Sequence, residues 1–301
     1  MNILISGGSG FLGSALTDSL IQQGMTVTWL TRDSSQSHPK NVHMLSYEQL
    51  ISDSISQSYE VIINLAGAGV ADSRWTDKRK QQLMDSRLKP TQAILDFIAR
   101  SEHKPKLLIS GSAIGWYGTQ GDTPLTEDSP AKSDFAHELC EAWEQLAMTA
   151  TGQGVPVAIV RTGVVIDTHG GMLAKLLTPF KLGLGGKLGD GQQIISWIGR
   201  RDWVRAVQFI IERHIDSQNK VMIYNLTAPN PISNYTFTKA VGSWLNRPTW
   251  FTLPRFLLKL LFGEMATLLM DGQKVLPQAL LNTGFVFEHQ RIDTLLASQD
   301  K

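Results

Sequence analysis

Residues 2–13 read NILISGGSGFLG, and this stretch decides the fold. It opens with an apolar run, Ile3 to Ile5, as a buried parallel strand would. Glycines follow at positions 7, 10 and 13, and an amphipathic helical pattern begins at Phe11. A strand, a glycine-rich turn and a helix in this order are typical of a site that binds the pyrophosphate of a dinucleotide.

Each glycine has a separate role in such a site. Gly7 permits the tight turn, Gly10 lets a pyrophosphate approach the backbone, and Gly13 lets the helix and the strand pack closely. An ordinary glycine-rich turn is the alternative, but the flanking strand and helix favour the dinucleotide site. We therefore predict an α/β fold built on a Rossmann-type doubly wound parallel sheet.

Composition limits the classes of function and partner. The 301 residues suffice for one large domain or two coupled ones, and the formal net charge of +1 argues against a nucleic-acid-binding surface. Cys140 is the single cysteine, so no intrachain disulfide can form and a cytoplasmic location is expected. The sequence shows no secretory signal and no apolar run of the roughly 20 residues that span a bilayer. We therefore expect no nucleic-acid partner, no membrane partner and, from the absence of ligand spacing, no metal.

The end of the second strand bears on the choice of cofactor. The segment MTVTWL, residues 25–30, reads as this strand and runs into Thr31, Arg32 and Asp33. At this point an acidic residue holds the free 2′-hydroxyl of NAD, whereas an arginine suits the 2′-phosphate of NADP. Because Arg32 comes first, the sequence favours NADP. Asp33 keeps NAD as the alternative, and Arg32 could also be a solvated loop charge.

Two further segments, YEVIINL at 59–65 and KLLIS at 106–110, read as buried strands. Small residues follow the first at 66–69 and would let a cofactor lie against the backbone. Ser112 and Tyr117 follow the second, at the sheet edge where ligands bind in doubly wound folds. Both side chains can hydrogen-bond a substrate hydroxyl or carbonyl. The alternative is a polar turn with a packed aromatic residue.

The rest of the chain predicts more helices and strands around this centre. A long helix is expected over 77–100, either continuous or broken near Pro90, and Arg87 on it reads as a surface charge when taken alone. Further elements are helices over 134–149, 202–212, 234–245 and 256–269 and strands over 155–166, 222–226 and 284–287. The glycine-rich segment 183–191 is either a mobile loop or a lid over substrate. We place a Rossmann domain at 1–168, to which residues near 195–228 return, and a smaller C-terminal substrate domain at 169–301.

Motifs spread along almost the whole chain carry a family resemblance. They are SGGSGFLG (6–13), NLAG (64–67), RW (74–75), SR (86–87), SGSAIGWYG (110–118), FAHELCEAWE (135–144), VRTGVVI (160–166), PFKLGLGGKLGDGQQ (179–193) and MDGQKVLPQALLNTGFVF (270–287). In these motifs the chain resembles the extended short-chain dehydrogenase/reductase superfamily, and more closely its atypical "epimerase family protein" branch. The last motif resembles that branch's own C-terminal domain.

The resemblance implies which residues contact the cofactor. They are Gly7, Ser9, Gly10, Phe11, Leu12, Thr31, Arg32, Leu65, Ala66, Arg87 and Val165. It also implies a small-molecule substrate, for which a nucleotide sugar is a candidate.

Two departures from the family pattern affect the catalytic centre. Extended reductases carry a catalytic Tyr-x-x-x-Lys, in which the lysine lowers the pKa of the tyrosine. Aligned through Glu144, the tyrosine position holds Ala136 and the lysine position holds Cys140, and neither can relay a proton. The usual WIHxxD segment reads WIGRRD at 197–202, without its histidine. Ser112 still matches the usual catalytic serine.

Two functions follow from this combination. The first is an NADP(H)-dependent oxidoreductase or nucleotide-sugar epimerase-like enzyme with a non-standard centre, in which Ser112 and Tyr117 are the catalytic candidates. The second is a protein that holds NADP(H) as a structural or sensing ligand without turnover. The sequence does not identify the substrate or the oligomeric state.

Overall fold

A computed structural model describes residues 1–32, 39–52, 57–217 and 220–300. Its first eight strands are β1 Asn2–Ser6, β2 Thr26–Thr31, β3 Val42–Ser46, β4 Val61–Asn64, β5 Leu107–Ala113, β6 Gly121–Leu125, β7 Val157–Thr162 and β8 Val164–Asp167. The later strands are β9 Gly186–Leu188, β10 Ile194–Ile195, β11 Trp197–Gly199, β12 Val221–Leu226, β13 Ile232–Ser233, β14 Phe251–Leu253 and β15 Gln273–Val275.

Helices lie between many of these strands. The helices are α1 Phe11–Gln22, α2 Tyr47–Ile51, α3 Asp77–Arg100, α4 Phe135–Met148, α5 Gly171–Lys181, α6 Arg200–His214, α7 Asn234–Leu245, α8 Arg255–Phe262, α9 Thr267–Met270, α10 Gln278–Asn282 and α11 Ile292–Ala297. Short 3₁₀ turns lie at Ile114–Tyr117, Thr149–Gln153 and Gly263–Ala266.

Seven strands form one parallel sheet in the order β12-β7-β5-β4-β1-β2-β3. Strand β1 lies inside it, with Ile3 paired to Val27 of β2 on one side and to Val61 of β4 on the other. The chain reverses its direction of travel across the sheet between β1 and β4, and ligands bind at such a switch point in folds of this class. The predicted doubly wound parallel sheet is confirmed.

The sheet is covered on both faces, which explains why its strands are apolar without alternation. Helices α1 and α6 pack on one face, together with Leu280, Phe285 and Phe287 from the C-terminal region. Helices α3 and α4 pack on the other face. A separate apolar cluster around Trp197 and Phe237 holds α5, α7 and α11 against β8 and β11.

Several element boundaries differ from the sequence-based expectations. The strand expected over 155–166 is two strands, because β7 pairs with β5 and β12 in the central sheet whereas β8 pairs with β11 in a separate ladder. Gly163 lies between them, and a Cβ there would lie 2.5 Å from the carbonyl oxygen of Ser196. The helix expected over 256–269 is interrupted at Gly263, which has a φ of +60°. Helix α3 runs without a break through Pro90.

The predicted strand over 284–287 is wrong. Phe285 and Phe287 are buried and Val286 is 68% exposed, which gives the alternation of a strand. However, this segment joins no ladder with the described strands. Phe285 instead packs edge-on against Phe209 of helix α6, with ring centroids 5.5 Å apart. The alternation therefore reflects packing on a helix.

The glycine-rich segment 183–191 contains β9 and two turns. A Cβ on Gly185 would lie 2.5 Å from the ring of Phe180, and one on Gly186 would lie 2.1 Å from the carbonyl oxygen of Phe251. Gly183, Gly189 and Gly191 have positive φ values of 76°, 59° and 80°. Close packing and turn geometry thus account for these glycines without a hinge, and the lid stays a prediction.

Candidate functional site

The turn between β1 and α1 forms a cradle that is open on one side. Gly7 has a φ of +78°, and a Cβ there would lie 2.8 Å from the carbonyl carbon of Leu65. A Cβ on Gly13 would lie 2.2 Å from the carbonyl oxygen of Gly7, so the protein's own packing requires both glycines. A Cβ on the exposed Gly10 would meet only that same oxygen, at 3.1 Å. The open side of the cradle is therefore the face at Gly10.

Helix α1 points its N-terminus into this cradle. Gly10 is the N-cap residue, and the first intrahelical bond runs from the N–H of Ser14 to its carbonyl oxygen at 2.9 Å. The N–H groups of Phe11, Leu12 and Gly13 precede that bond and belong to the donors that a helix cannot satisfy internally. The helix dipole favours an anion at this N-terminus. The first turn carries no acidic side chain that would compete with such an anion. The predicted contact residue Ser9 is exposed beside them.

The first wall of the cradle comes from the loop after β4. The N–H of Leu65 donates to the carbonyl oxygen of Ser6 at 2.9 Å, which brings Leu65 and Ala66 beside Gly7. Arg87 of α3 reaches this loop, where its Nη2 donates to the carbonyl oxygen of Ala68 at 3.1 Å. Burial lowers the pKa of the Arg87 guanidinium below its ordinary value. Arg87 thus faces the loop, which corrects the interpretation of Arg87 as a surface charge.

The second wall comes from β8 and the start of α5. Val165 is half-buried on β8, and a Cβ on Gly171 would lie 2.6 Å from its carbonyl oxygen. A Cβ on the neighbouring Gly170 would lie 2.3 Å from the ring of Phe11. The β8–α5 junction therefore packs directly on the first residue of α1.

Arg200 completes this second wall, although nothing in its sequence surroundings marks it as a cofactor contact. Its guanidinium carbon lies 4.6 Å from the centre of the Phe11 ring, and its Nη2 donates to the hydroxyl of Ser14 at 3.3 Å. Its Nη1 lies 4.0 Å from a carboxylate oxygen of Asp167, and its buried Nε has no hydrogen-bond partner among the described residues. A cation with spare donor capacity thus stands beside the N-terminus of α1.

The end of β2 holds the residues predicted to distinguish NADP from NAD. Thr31 is half-buried and Arg32 is exposed, and Arg32 lies close enough to the hydroxyl of Tyr47 to lower its pKa. Burial outweighs this effect and raises the pKa of Tyr47, whose hydroxyl lies 3.0 Å from that of Ser6. Asp33, on which the NAD alternative depends, lies outside the described residues.

At the end of β5, Ser112 joins a buried ion pair. Its hydroxyl donates to Oε1 of Glu144 on α4 at 2.5 Å. The Nε and Nη2 atoms of Arg161 on β7 each donate to that carboxylate at 2.9 Å, and both charged side chains are at most 2% exposed. Burial alone would lower the pKa of Arg161, but the hydrogen bonds and charge of Glu144 outweigh it and raise that pKa. The pair is a bidentate, fully desolvated bridge that fixes the Ser112 hydroxyl.

Tyr117 lies behind this ion pair and does not reach the cleft. Its side chain is fully buried, its hydroxyl donates to Oδ1 of Asn225 at 2.7 Å, and Nη1 of Arg161 donates to it at 3.1 Å. Burial raises the pKa of Tyr117, and the charge of Arg161 only partly offsets this. This position argues against the predicted proton-relay role of Tyr117, because a substrate cannot touch its hydroxyl.

The positions of the usual tyrosine and lysine are apolar. Ala136 packs with a cluster that includes Trp75 and Phe135, whose ring centroids lie 4.9 Å apart. Cys140 is buried, and burial together with the negative charge of Glu144 raises the pKa of its thiol to about 11. Cys140 is therefore a neutral thiol at physiological pH and cannot replace a lysine cation.

The structure brings the predicted cofactor residues of the cradle together and separates Tyr117 from them. It also adds Arg200, Glu144 and Arg161, which the sequence analysis missed. A signal existed for Arg161, because a charged residue inside the apolar run VRTGVVI requires a buried partner. Across the described ranges, no helix has the length and hydrophobicity needed to cross a bilayer. In the same part of the chain, no group of three or more His, Cys, Asp or Glu residues could hold a metal ion.

A doubly wound parallel sheet with an open glycine cradle at its switch point defines a Rossmann-type protein. The sequence matches the NAD dependent epimerase/dehydratase family over residues 3–227, and a domain of unknown function, DUF1731, over residues 253–299. This chain belongs to the NAD dependent epimerase/dehydratase family, and the C-terminal match confirms the predicted branch with its own C-terminal domain.

Individual relatives extend along the whole chain. An epimerase family protein of Mycobacterium bovis is 36% identical over 295 residues, which cover 98% of this chain and 96% of the relative. The crystal structure of human epimerase family protein SDR39U1 (isoform 2) with NADPH superposes with a TM-score of 0.90 at 30% identity and covers 98% of each chain. A UDP-glucuronic acid 4-epimerase from Bacillus cereus, solved with UDP-glucuronic acid and NAD, shares the fold with a TM-score of 0.75 at 16% identity, covering 99% of this chain and 98% of its own.

Proposed function

We propose that this chain is an NADP(H)-dependent oxidoreductase or nucleotide-sugar epimerase-like enzyme with a non-standard catalytic centre. The observation that carries the proposal is the cradle, which packs tightly at Gly7 and Gly13 and stays open at Gly10. The open face lies at the N-terminus of α1, where a pyrophosphate would replace the missing hydrogen-bond acceptors. Ser112, which the buried Glu144–Arg161 ion pair holds, lies near the carboxyl end of β5, at the same edge of the sheet.

The residues around the cradle fit a dinucleotide in charge. Gly7 to Leu12 would hold the pyrophosphate, with Leu65 and Ala66 on one side and Val165 and Arg200 on the other. Arg32 would hold the 2′-phosphate at the far end of β2, which is the basis for NADP rather than NAD. The relative crystallised with NADPH supports this assignment, whereas the neighbour solved with NAD keeps the alternative in view.

The geometry at Ser112 determines how that residue can act. A bound nicotinamide would supply or accept a hydride at this end of the cleft. The Ser112 hydroxyl donates a hydrogen bond to Glu144. The lone pairs of the Ser112 oxygen can therefore accept a further hydrogen bond. Ser112 would therefore accept a hydrogen bond from a substrate hydroxyl, which favours an alcohol, such as a sugar hydroxyl, as the bound form. The immobile Arg161–Glu144 pair would keep that acceptor in place.

The second candidate function is NADP(H) binding without turnover. It is favoured by Ala136 and Cys140 at the positions of the usual acid/base pair, and by the burial of Tyr117. In this alternative the protein keeps the cofactor as a structural or sensing ligand. A cytoplasmic location belongs to either version of the proposal, because it rests on the single buried cysteine.

Two measurements separate these functions. Fluorescence titration with NADPH tests the cradle. Incubation of the protein with 4-deuterated NADPH and small carbonyl compounds, followed by mass spectrometry, tests net hydride transfer, and incubation with NADP⁺ and nucleotide sugars, followed by chromatographic separation of epimers, tests epimerisation. The enzyme version predicts deuterium in a reduced product or formation of an epimer, and Ser112→Ala should lower that turnover while NADPH affinity stays unchanged. The matched control is Ser243→Ala on the exposed side of α7. Tight NADPH binding with neither label transfer nor epimer formation from any of these compounds would favour the second function.

A further inference from the structure

An exposed apolar surface lies far from the cradle in sequence and plays no part in the proposed function. Its members are Leu182 (69% exposed), Leu184 (57%), Trp250 (85%), Phe251 (54%), Phe256 (72%) and Leu260 (66%). Side chains of this size are singly exposed in many proteins, but a group of them marks an interaction site.

These side chains belong to one small structural unit. Strand β14 pairs with β9 through Phe251 and Gly186, so Trp250 lies beside the chain that leads from Leu184 into β9. A Cβ on Gly183, between the two leucines, would lie 3.8 Å from Pro248. Helix α8 begins two residues after β14 and packs its inner residue Leu258 in a cluster with strand residues Leu188 and Leu253. Its outer residues are therefore left to solvent.

Three exposed cations lie close in sequence to these apolar residues. Lys181, Arg247 and Lys259 are exposed, and none has a described carboxylate within ion-pair distance. Arg255 by contrast is neutralised by Asp271 at 2.9 Å and lies 3.8 Å from Asp190. Glu264 is neutralised by Lys80 at 2.7 Å. We call this combination of six apolar and three unpaired basic residues the apolar-basic face.

We propose that the apolar-basic face docks on the surface of an anionic lipid bilayer. Exposed Trp, Phe and Leu side chains with flanking Lys and Arg are the features of segments that lie in the interface between headgroups and acyl chains. In the docked state Trp250, Phe256 and Leu260 enter that interface, and the three cations contact lipid phosphates. This inference departs from the expectation of no membrane partner, which rested only on the absence of spanning segments.

A second copy of the chain is the competing occupant, and the charges argue against it. In a two-fold symmetric dimer the same surface meets itself. Lys181, Arg247 and Lys259 of one copy would then meet the same three cations of the other, while the described acidic residues nearby already pair with Arg255 and Lys80. Like charges across an interface oppose association. An anionic bilayer supplies the opposite charge at every position.

Co-sedimentation of the full-length protein with vesicles tests the proposal. Vesicles of phosphatidylcholine with phosphatidylglycerol are expected to bind the protein, less at higher salt, and vesicles of phosphatidylcholine alone are expected to bind it far more weakly. Lys181→Ala with Lys259→Ala should lower the partition coefficient by roughly 25-fold, at about fivefold for each cation. Trp250→Ser with Phe256→Ser should lower it by about tenfold or more.

Val286→Ser is the matched control, because Val286 is 68% exposed but lies outside the apolar-basic face. It should bind vesicles like the wild type, and all variants should keep NADPH affinity, which shows that they are folded. Failure of the wild type to bind anionic vesicles would overturn the proposal, as would equal binding by all variants. A concentration-dependent dimer that Trp250→Ser with Phe256→Ser abolishes would also overturn it, since the face would then be a self-association surface.

Discussion

Single residues of the cradle differ in what a substitution would do, and Gly10 is the most informative of them. A Cβ at Gly10 meets only the carbonyl oxygen of Gly7, at 3.1 Å, so the fold can accommodate a side chain there with a small shift. A bound pyrophosphate would need the same space. We therefore expect Gly10→Val to abolish NADPH binding with a change in Tm of only a few degrees. Titration and thermal unfolding of the same sample check this.

Two further glycine variants serve as controls for this prediction. Gly152→Val should bind normally, because a Cβ there has nothing within 4 Å and its φ is not positive. Gly13→Val should fail to fold, because its Cβ would lie 2.2 Å from the carbonyl oxygen of Gly7. Normal NADPH binding by Gly10→Val would show that the pyrophosphate lies elsewhere.

Arg32 is the residue on which cofactor preference should depend. It is exposed and forms no ion pair with the described carboxylates, so its charge is available to a 2′-phosphate. A charge-assisted contact of this kind contributes roughly 1.5–3 kcal/mol. We expect the wild type to bind NADPH more tightly than NADH and Arg32→Ala to lose most of that difference, with NADH affinity unchanged. Equal affinities of the wild type for the two nucleotides would contradict this.

Arg200 and Arg201 are adjacent arginines that form a matched pair. Arg200 stacks on Phe11 at the N-terminus of α1, whereas Arg201 is 74% exposed and pairs with Glu288 at 3.0 Å. We expect Arg200→Ala to weaken both NADPH and NADH by about tenfold, since one charge-assisted contact to the pyrophosphate would be lost. Arg201→Ala should leave both affinities within about twofold. Isothermal titration calorimetry measures all four values, and similar losses in both variants would remove Arg200 from the site.

At the scale of elements, β5, α4 and β7 meet around Ser112, Cys140, Glu144 and Arg161, and this junction should give stability a pH dependence. Burial and the charge of Glu144 raise the pKa of the Cys140 thiol from 9.0 to about 11. Above pH 9 the unfolded chain releases a proton that the folded chain keeps, so stability falls as pH rises from about 9 to about 11. The pKa shift of Cys140 lowers the free energy of unfolding by about 2–3 kcal/mol over this pH range.

Urea unfolding of the wild type and of Cys140→Ala over this pH range isolates the contribution of the thiol. The variant should be less stable than the wild type at neutral pH, because it loses packing atoms. Its stability should then fall less steeply with alkali, so the two curves converge. Parallel curves would show that the thiol ionises normally in the folded state.

The elements also show what could be predicted from the sequence. The turn after β1 was predictable because strand, glycines and helix are local, and Ser112 was placed because it lies near the end of a recognisable strand. The Glu144–Arg161 pair joins residues on different elements, so neither spacing nor periodicity reveals it. The segment 284–287 misled because Phe285 and Phe287 alternate with Val286 whether they pack on a strand or, as here, on helix α6. Arg200 was missed because one of its partners, Ser14, lies 186 residues away in the sequence and the other, Phe11, lies three residues further.

At the scale of the whole molecule, the C-terminal region is part of the core that surrounds the central sheet. Leu280, Phe285 and Phe287 pack in the same cluster as β1, α1 and α6. The fully buried carboxylate of Asp202 on α6 accepts the N–H groups of Glu288 and His289 at 2.8 and 2.9 Å. At the other end of the region, Arg74 donates to the carbonyl oxygen of Leu261 at 2.7 Å. Core contacts and a surface hydrogen bond therefore both cross the domain boundary that was predicted at residue 168.

These shared contacts predict that the chain unfolds in one transition. A domain with its own core would melt separately, whereas a core built from both regions couples their stabilities. We expect a calorimetric to van't Hoff enthalpy ratio near one. Phe287→Ala, which removes a side chain that is 4% exposed, should cost about 3–5 kcal/mol and shift the whole transition, while Val286→Ala should leave Tm nearly unchanged. If Phe287→Ala splits the melting curve in two, with a first step that spares NADPH binding, then residues 169–301 without the returning segment near 195–228 form an independent domain and the predicted division is correct.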